Sequence, residues 1–110
     1  MKTTNKPESL SALGRFSEPA FNILVALADG PKHGYAMTQD IEAMTGSRPG
    51  PGTLYGAIAR LEVRKWIEPL PSEDRRRPYK LTSAGGKVLR ARLDAMKSVT
   101  KIAQSRLANA

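Results

Sequence analysis

The chain has no cysteine and a single histidine, His33, among its 110 residues. The first absence excludes a disulfide framework and every thiolate metal site, and it suits a reducing cytosol. The second leaves no means of building a histidine-based catalytic triad or a multi-histidine metal centre. Aromatic residues are only 5% of the chain, so the core must be aliphatic and modest, at a length that fits one small domain. No apolar run approaches the ~20 residues that span a bilayer, and residues 1–19 lack the apolar centre of a signal peptide. Together these absences describe a cytoplasmic, non-catalytic module with no cofactor, no metal and no membrane partner.

What is present is positive charge, and it is one-sided. The net charge is +8, yet residues 1–47 carry −1 and residues 48–110 carry +9. A basic field confined to the second half points to a polyanionic partner, with nucleic acid the first candidate, although lysine and arginine on a helix are also ordinary solvated surface.

Hydrophobic spacing orders the elements. Residues 1–17 are polar and weakly periodic and read as a flexible N-terminal arm, with room for a short helical turn around Leu10–Phe16. Ser17-Glu18-Pro19 opens a helix whose body, AFNILVALA, is apolar almost all round and therefore central to the core. Met37, Ile41 and Met44 mark the inner face of a short second helix, capped by Gly46, and both methionines are read as core fillers. His33, Gly34 and Tyr35 read as the tight, packed start of that helix. The glycine-rich GSRPGPGT connector lacks the Lys-Ser/Thr pair of a phosphate loop.

A third helix starts near Gly52 or Thr53, with Leu54, Ala57, Ile58 and Leu61 as its inner stripe. Its opposite face holds Gly52, Gly56, Ala59 and Val63, with Thr53 and Arg60 on one edge and Tyr55 on the other. Small residues there allow close approach to a groove, or to a helix of another protein. After Trp66 the period changes to two. WIEPL and RPYKLT form a short hairpin interrupted by prolines, with Arg75, Arg76 and Arg77 at its tip. Thr82 or Ser83 then caps a last helix. The expected fold is mainly α: a winged helix-turn-helix of three helices plus a two-stranded β-wing (residues 18–82), followed by a long C-terminal dimerisation helix (83–110). In such a fold the third helix enters the DNA major groove by its N-terminal end, and the wing tracks the backbone.

The same residues resemble the PadR-like transcriptional regulators. The resemblance rests on VALADGPKHGYAMTQDI, on PGPGTLYGAIARLE and on RRRPYKLTSAGGKVL, in that order and spacing, and covers roughly residues 20–90. It implies a winged-helix homodimer that represses transcription and is often relieved by a small-molecule effector, in a short form with one C-terminal helix. The family typically has glycine where Lys65 stands. A left-handed lysine would cost about 1–2 kcal/mol, so a differently built turn is expected here. Pro69 and Pro71 imply an irregular first wing strand.

On this basis the expected DNA contacts are Thr53, Tyr55 and Arg60 on the third helix, Arg75, Arg76, Arg77 and Lys80 on the wing, and Arg48 in the connector. For Thr53 the competing role is a helix cap, and for Tyr55 a half-buried rim. The last helix carries Leu89, Leu93, Met96, Val99, Ile102 and Leu107 as its dimerisation stripe, because a helix of this length has more apolar surface than so small a domain can cover. The expected partners are double-stranded DNA with a pseudo-palindromic operator, and a second copy of the chain. A winged helix that serves only as a protein-interaction module is the alternative.

Overall fold

A computed structural model describes residues 9–72 and 74–110. Its centre is α1 (Ser17–Leu27), on which every other helix packs. Ala20, Ile23, Leu24, Ala26 and Leu27 are buried along it. Around α1 lie α2 (Gly34–Thr45) and α3 (Pro51–Val63), then a two-stranded antiparallel sheet of β1 (Ile67–Pro69) and β2 (Tyr79–Leu81), and finally α4 (Ser83–Ala108). This is the expected winged helix-turn-helix with a long C-terminal helix.

The N-terminal reading needs correction. The short helical turn allowed at Leu10–Phe16 is there, as a 3-10 segment, but its Leu10 and Leu13 are buried in the main core, so these residues are no flexible arm. Burying two leucines contributes roughly 3–6 kcal/mol, enough to hold seven residues that show no helical period of their own. Residues 1–8, the rest of the expected arm, lie outside the described residues. Gly14, with φ of 58°, breaks the segment and turns Phe16 toward α3.

Helix ends follow local chemistry. His33 caps α2, its Nδ1 accepting the Ala36 N–H at 3.4 Å, and Gly46 closes the helix with a left-handed φ of 79°. Met37 fills the core as expected, but Met44 is exposed, because α2 turns its last residues to solvent. Gly50 precedes Pro51 at the start of α3, so the helix begins earlier than its periodicity suggests and Thr53 lies inside the first turn, without a capping role.

The turn after α3 is built on Lys65 itself. Its φ is 62°, its N–H reaches the Glu62 carbonyl at 2.9 Å, and the Trp66 N–H reaches the Leu61 carbonyl at 3.1 Å. This is a Schellman turn with lysine in the position glycine usually fills. Thr82 Oγ1 donates to the Lys65 carbonyl at 2.7 Å while accepting the Gly85 N–H at 3.0 Å, so one side chain ties the turn to the cap of α4.

The wing pairs Ile67 with Leu81, Glu68 with Lys80 and Pro69 with Tyr79. Tyr79 directs its backbone N–H and carbonyl away from Pro69, to the carbonyl and N–H of Lys32 at 3.0 and 3.1 Å. Pro69 therefore costs no ladder bond, and the first wing strand is regular through it. The α1–α2 loop thus supplies a one-residue third rung that fastens the wing to the helices.

Candidate nucleic-acid interface

Helix α3 presents two faces. Leu54, Ala57, Ile58 and Leu61 are buried, while Gly52, Thr53, Ala59 and Val63 are exposed, Val63 at 77%. The outward strip is small and apolar with polar margins, as the spacing predicts. Gly56 differs from the rest of the strip. A methyl group there would sit 2.7 Å from Phe16 Cε1, so the aromatic ring of the chain's own N-terminal segment occupies that part of the face.

The two margins have different neighbours. On one, the Arg60 guanidinium stacks on Phe16 with Cζ 3.8 Å from the ring centroid, and its Nη1 donates to the Gly56 carbonyl at 3.0 Å. A cation held over a ring face gains roughly 0.5–1 kcal/mol at an exposed site, which holds Arg60 along the helix edge. Arg60 and Thr53 thus share a margin bordered by Arg15 and Phe16.

On the other margin, Tyr55 is 55% exposed and lays its phenol over the first turn of α2. A Cβ on Gly34 would come 2.3 Å from the Tyr55 hydroxyl oxygen, so the absence of a side chain at Gly34 makes room for Tyr55. Beyond it opens a cleft of about 660 Å³, walled by His33, Gly34, Tyr35, Tyr55 and Tyr79 on the helix side and by Arg75, Arg76 and Arg77 on the wing. Tyr35 lines this cleft and is mostly exposed, unlike the packed residue expected, while its hydroxyl accepts from Gln39 Nε2 at 3.3 Å. Burial, with the Glu62 carboxylate nearby, pushes the Tyr79 phenol above its ordinary pKa, so it remains a neutral hydrogen-bonding group at physiological pH.

The wing tip is organised by short-range bonds. Asp74 Oδ1 accepts the Arg76 N–H at 2.8 Å and lies 3.0 Å from the Ser72 hydroxyl. These two donors, the amide first, hold the Asp74 carboxyl below the usual aspartate range. Arg75, Arg76 and Arg77 are all exposed. Lys80, one strand position inward, forms an ion pair with its cross-strand partner Glu68 at 3.3 Å. Arg48 likewise pairs with Glu42 at 3.0 Å, across the α2–α3 connector. The eight predicted contact residues therefore fall into three groups: Thr53 and Arg60 on one margin of α3, Tyr55 with the three wing arginines across the cleft, and Arg48 and Lys80 in exposed ion pairs.

Sequence reasoning missed Arg15 and Phe16, which flank α3 without belonging to its periodic pattern, and Lys32, whose single rung leaves no alternation to detect. It also placed Leu89 in a dimerisation stripe. Leu89 is only 7% exposed and belongs to this chain's own core, because the first two turns of α4 pack beside α1. Among the described residues no cluster of histidine and acidic side chains is suited to a metal, and no helix is long and apolar enough to cross a membrane.

Comparison with known proteins assigns this architecture. The model of the transcriptional regulator PadR-like family matches residues 23–91, from α1 into α4. The chain belongs to the PadR-like family. That family consists of transcriptional regulators and not enzymes. An uncharacterised 37.1 kDa protein in transposon TN4556 of Streptomyces fradiae is 46% identical over 82 residues, which are 74% of this chain and 24% of that protein. The chain thus spans about a quarter of the length of that curated relative. Among solved structures, a transcriptional regulator from Clostridium thermocellum is 28% identical with a TM-score of 0.70, over 79% of this chain and 87% of the other. A PadR family transcription regulator from Clostridium difficile has the same fold at 21% identity, with a TM-score of 0.72 over 81% and 97% of the two chains.

The PadR-like motifs now have physical reasons. His-Gly-Tyr and Gly-Thr-Leu-Tyr meet where Tyr55 crosses Gly34. In Tyr-x-Leu-Thr-x-x-Gly, Thr82 is the cap of α4, and Gly85 packs so closely that a Cβ would stand 2.0 Å from the Trp66 carbonyl oxygen.

Proposed function

We propose that this PadR-like chain is a cytoplasmic, homodimeric repressor that binds a pseudo-palindromic DNA operator, one half-site per subunit. The observation that carries the reading is the exposed small-residue strip of α3 flanked on both margins by arginine. Gly52, Ala59 and Val63 let the helix enter a major groove closely, and the backbone N–H groups of Gly52 and Thr53, in the first turn, are donors for a phosphate. Arg75, Arg76 and Arg77 then meet the backbone across the cleft, with Tyr55 at its edge. Lys80 and Arg48 exchange their carboxylate partners for phosphate, a modest cost since exposed pairs contribute about 0–1 kcal/mol.

The exposed part of α4 supports the homodimer reading. From Leu93 onward every residue of the chain is exposed, including Leu93, Met96, Val99, Ile102 and Leu107. The sixteen helical residues 93–108, all of them exposed, form an amphipathic stretch that fits a two-fold pairing with another copy. A small-molecule effector would relieve repression by changing the spacing of the two recognition helices, since only a ligand that distinguishes the two arrangements shifts their balance.

Docking of a partner protein on the small-residue strip is the alternative, and Phe16 already fills the strip at Gly56. Salt separates the two readings. DNA affinity should fall by roughly 0.9 log units per phosphate contact for each log unit of salt, and changing Arg75, Arg76 and Arg77 together to Gln should reduce that slope by as much as about 3. Binding indifferent to salt would instead support the protein-docking reading.

A further inference from the structure

The wing supplies arginine on the Tyr55 side of α3. The opposite side is completed by a segment outside the helix-turn-helix. Leu10 and Leu13 anchor the N-terminal segment in the core, and Gly14 reverses the chain, with the Ser17 hydroxyl donating to its carbonyl. The result places the Phe16 ring against Gly56 of α3. Two guanidinium groups then share that one ring: Arg60 with Cζ 3.8 Å from its centroid and Arg15 with Cζ 4.9 Å away. A hollow of about 350 Å³ opens beside Arg15 and Phe16, lined also by Gly52 and Thr53 at the N-terminal end of α3.

Like charges brought together on a shared platform repel each other unless an anion lies between or beside them. Arg15 is exposed and lies over the Phe16 ring, with no carboxylate among the described residues joined to it. We propose that Arg15 is a DNA-backbone contact, and that Phe16 is the positioning residue holding Arg15, beside the N-terminal end of α3, and Arg60, in the last turn of α3, as a paired clamp on phosphates along this margin of the helix. This rests on the DNA-binding reading above and extends it: the interface has two cationic walls, the wing on one side and the N-terminal segment on the other. The aromatic platform restrains two long side chains before binding, so less of their rotamer freedom is lost when the phosphate arrives.

The test is the salt dependence of binding by the full chain to a labelled mixed-sequence duplex, between about 50 and 200 mM salt. Arg15→Gln should lower the log–log slope by about 0.9, so that the fourfold rise in salt weakens binding about 3.5-fold less than in the parent. Lys101→Gln removes the same charge from the far half of α4 and should leave the slope unchanged. Phe16→Leu should weaken binding by about as much as Arg15→Gln, and the double variant should lose little more, because residues that act as a unit are not additive. Thermal unfolding separates loss of the platform from loss of the fold, and the exposed Arg15 variant does not depend on that control. If Arg15→Gln keeps the parent's slope and affinity while the triple wing variant loses both, the clamp is wrong and the DNA-binding reading stands. If the parent itself shows no salt-dependent binding, both fall together.

Discussion

At the scale of single residues, Lys65 shows a local rule being overridden. A lysine at φ of 62° costs about 1–2 kcal/mol relative to an unstrained backbone, which argues for a different turn when only the sequence is read. The turn forms because its neighbours over-determine it: two backbone bonds close the end of α3, Trp66 is buried immediately after, and Thr82 holds the Lys65 carbonyl from the start of α4. Lys65→Gly should relieve the strain but give the unfolded chain more freedom, a net gain of about 0.5–1 kcal/mol. Chemical denaturation measures it directly, and an unchanged or lower midpoint with an unchanged slope would show that the turn is not strained. Two glycines of the motifs act by close approach: Gly34 and Gly85 leave room for Tyr55 and for the Trp66 carbonyl.

At the scale of elements, α3 separates stability from function. Gly52 has no heavy atom outside its own helix neighbourhood within 4 Å of where a Cβ would stand, so Gly52→Ala should stabilise the helix by roughly 0.5–1 kcal/mol. On the proposed reading the same methyl meets the groove floor, and operator affinity should fall about tenfold, comparable to one lost base contact. A variant that is more stable and binds DNA as well as the parent would contradict the close approach of α3. The helices themselves were legible in the sequence. The stripe of Leu54, Ala57, Ile58 and Leu61, the glycine end of α2 and the change of period after Trp66 each carry a local signal. What was not legible is made by tertiary contact alone. The 3-10 segment is too short and too broken at Gly14 to show a period, Phe16 finds Gly56 only in the folded chain, and the rung at Lys32 is a single residue long. Met44 and Leu89 each continue a correct helical spacing and lie on the other side of the boundary between core and surface, which spacing cannot locate.

At the scale of the whole molecule, α4 divides into two parts. Its first turns, with Gly85, Val88 and Leu89, complete the core of the winged helix, and the helix from Leu93 to its end at Ala108, about 24 Å at 1.5 Å per residue, is exposed throughout. Val99→Asp combined with Ile102→Asp should convert a dimer into a folded monomer, since a two-fold interface feels each substitution twice. Sedimentation checks it, and an unaltered mass would move the dimer seam elsewhere. On the proposed reading a dimer matters because two recognition helices about 34 Å apart would fit successive major grooves on one side of the duplex. The most direct measurement is therefore selection of genomic fragments by the purified chain at near-physiological salt, against excess nonspecific competitor. The account predicts recovery of a palindromic motif with half-sites one helical turn apart, centred on the selected fragments. Fragments that share no motif, and whose retention merely tracks low salt, would contradict a sequence-specific regulator.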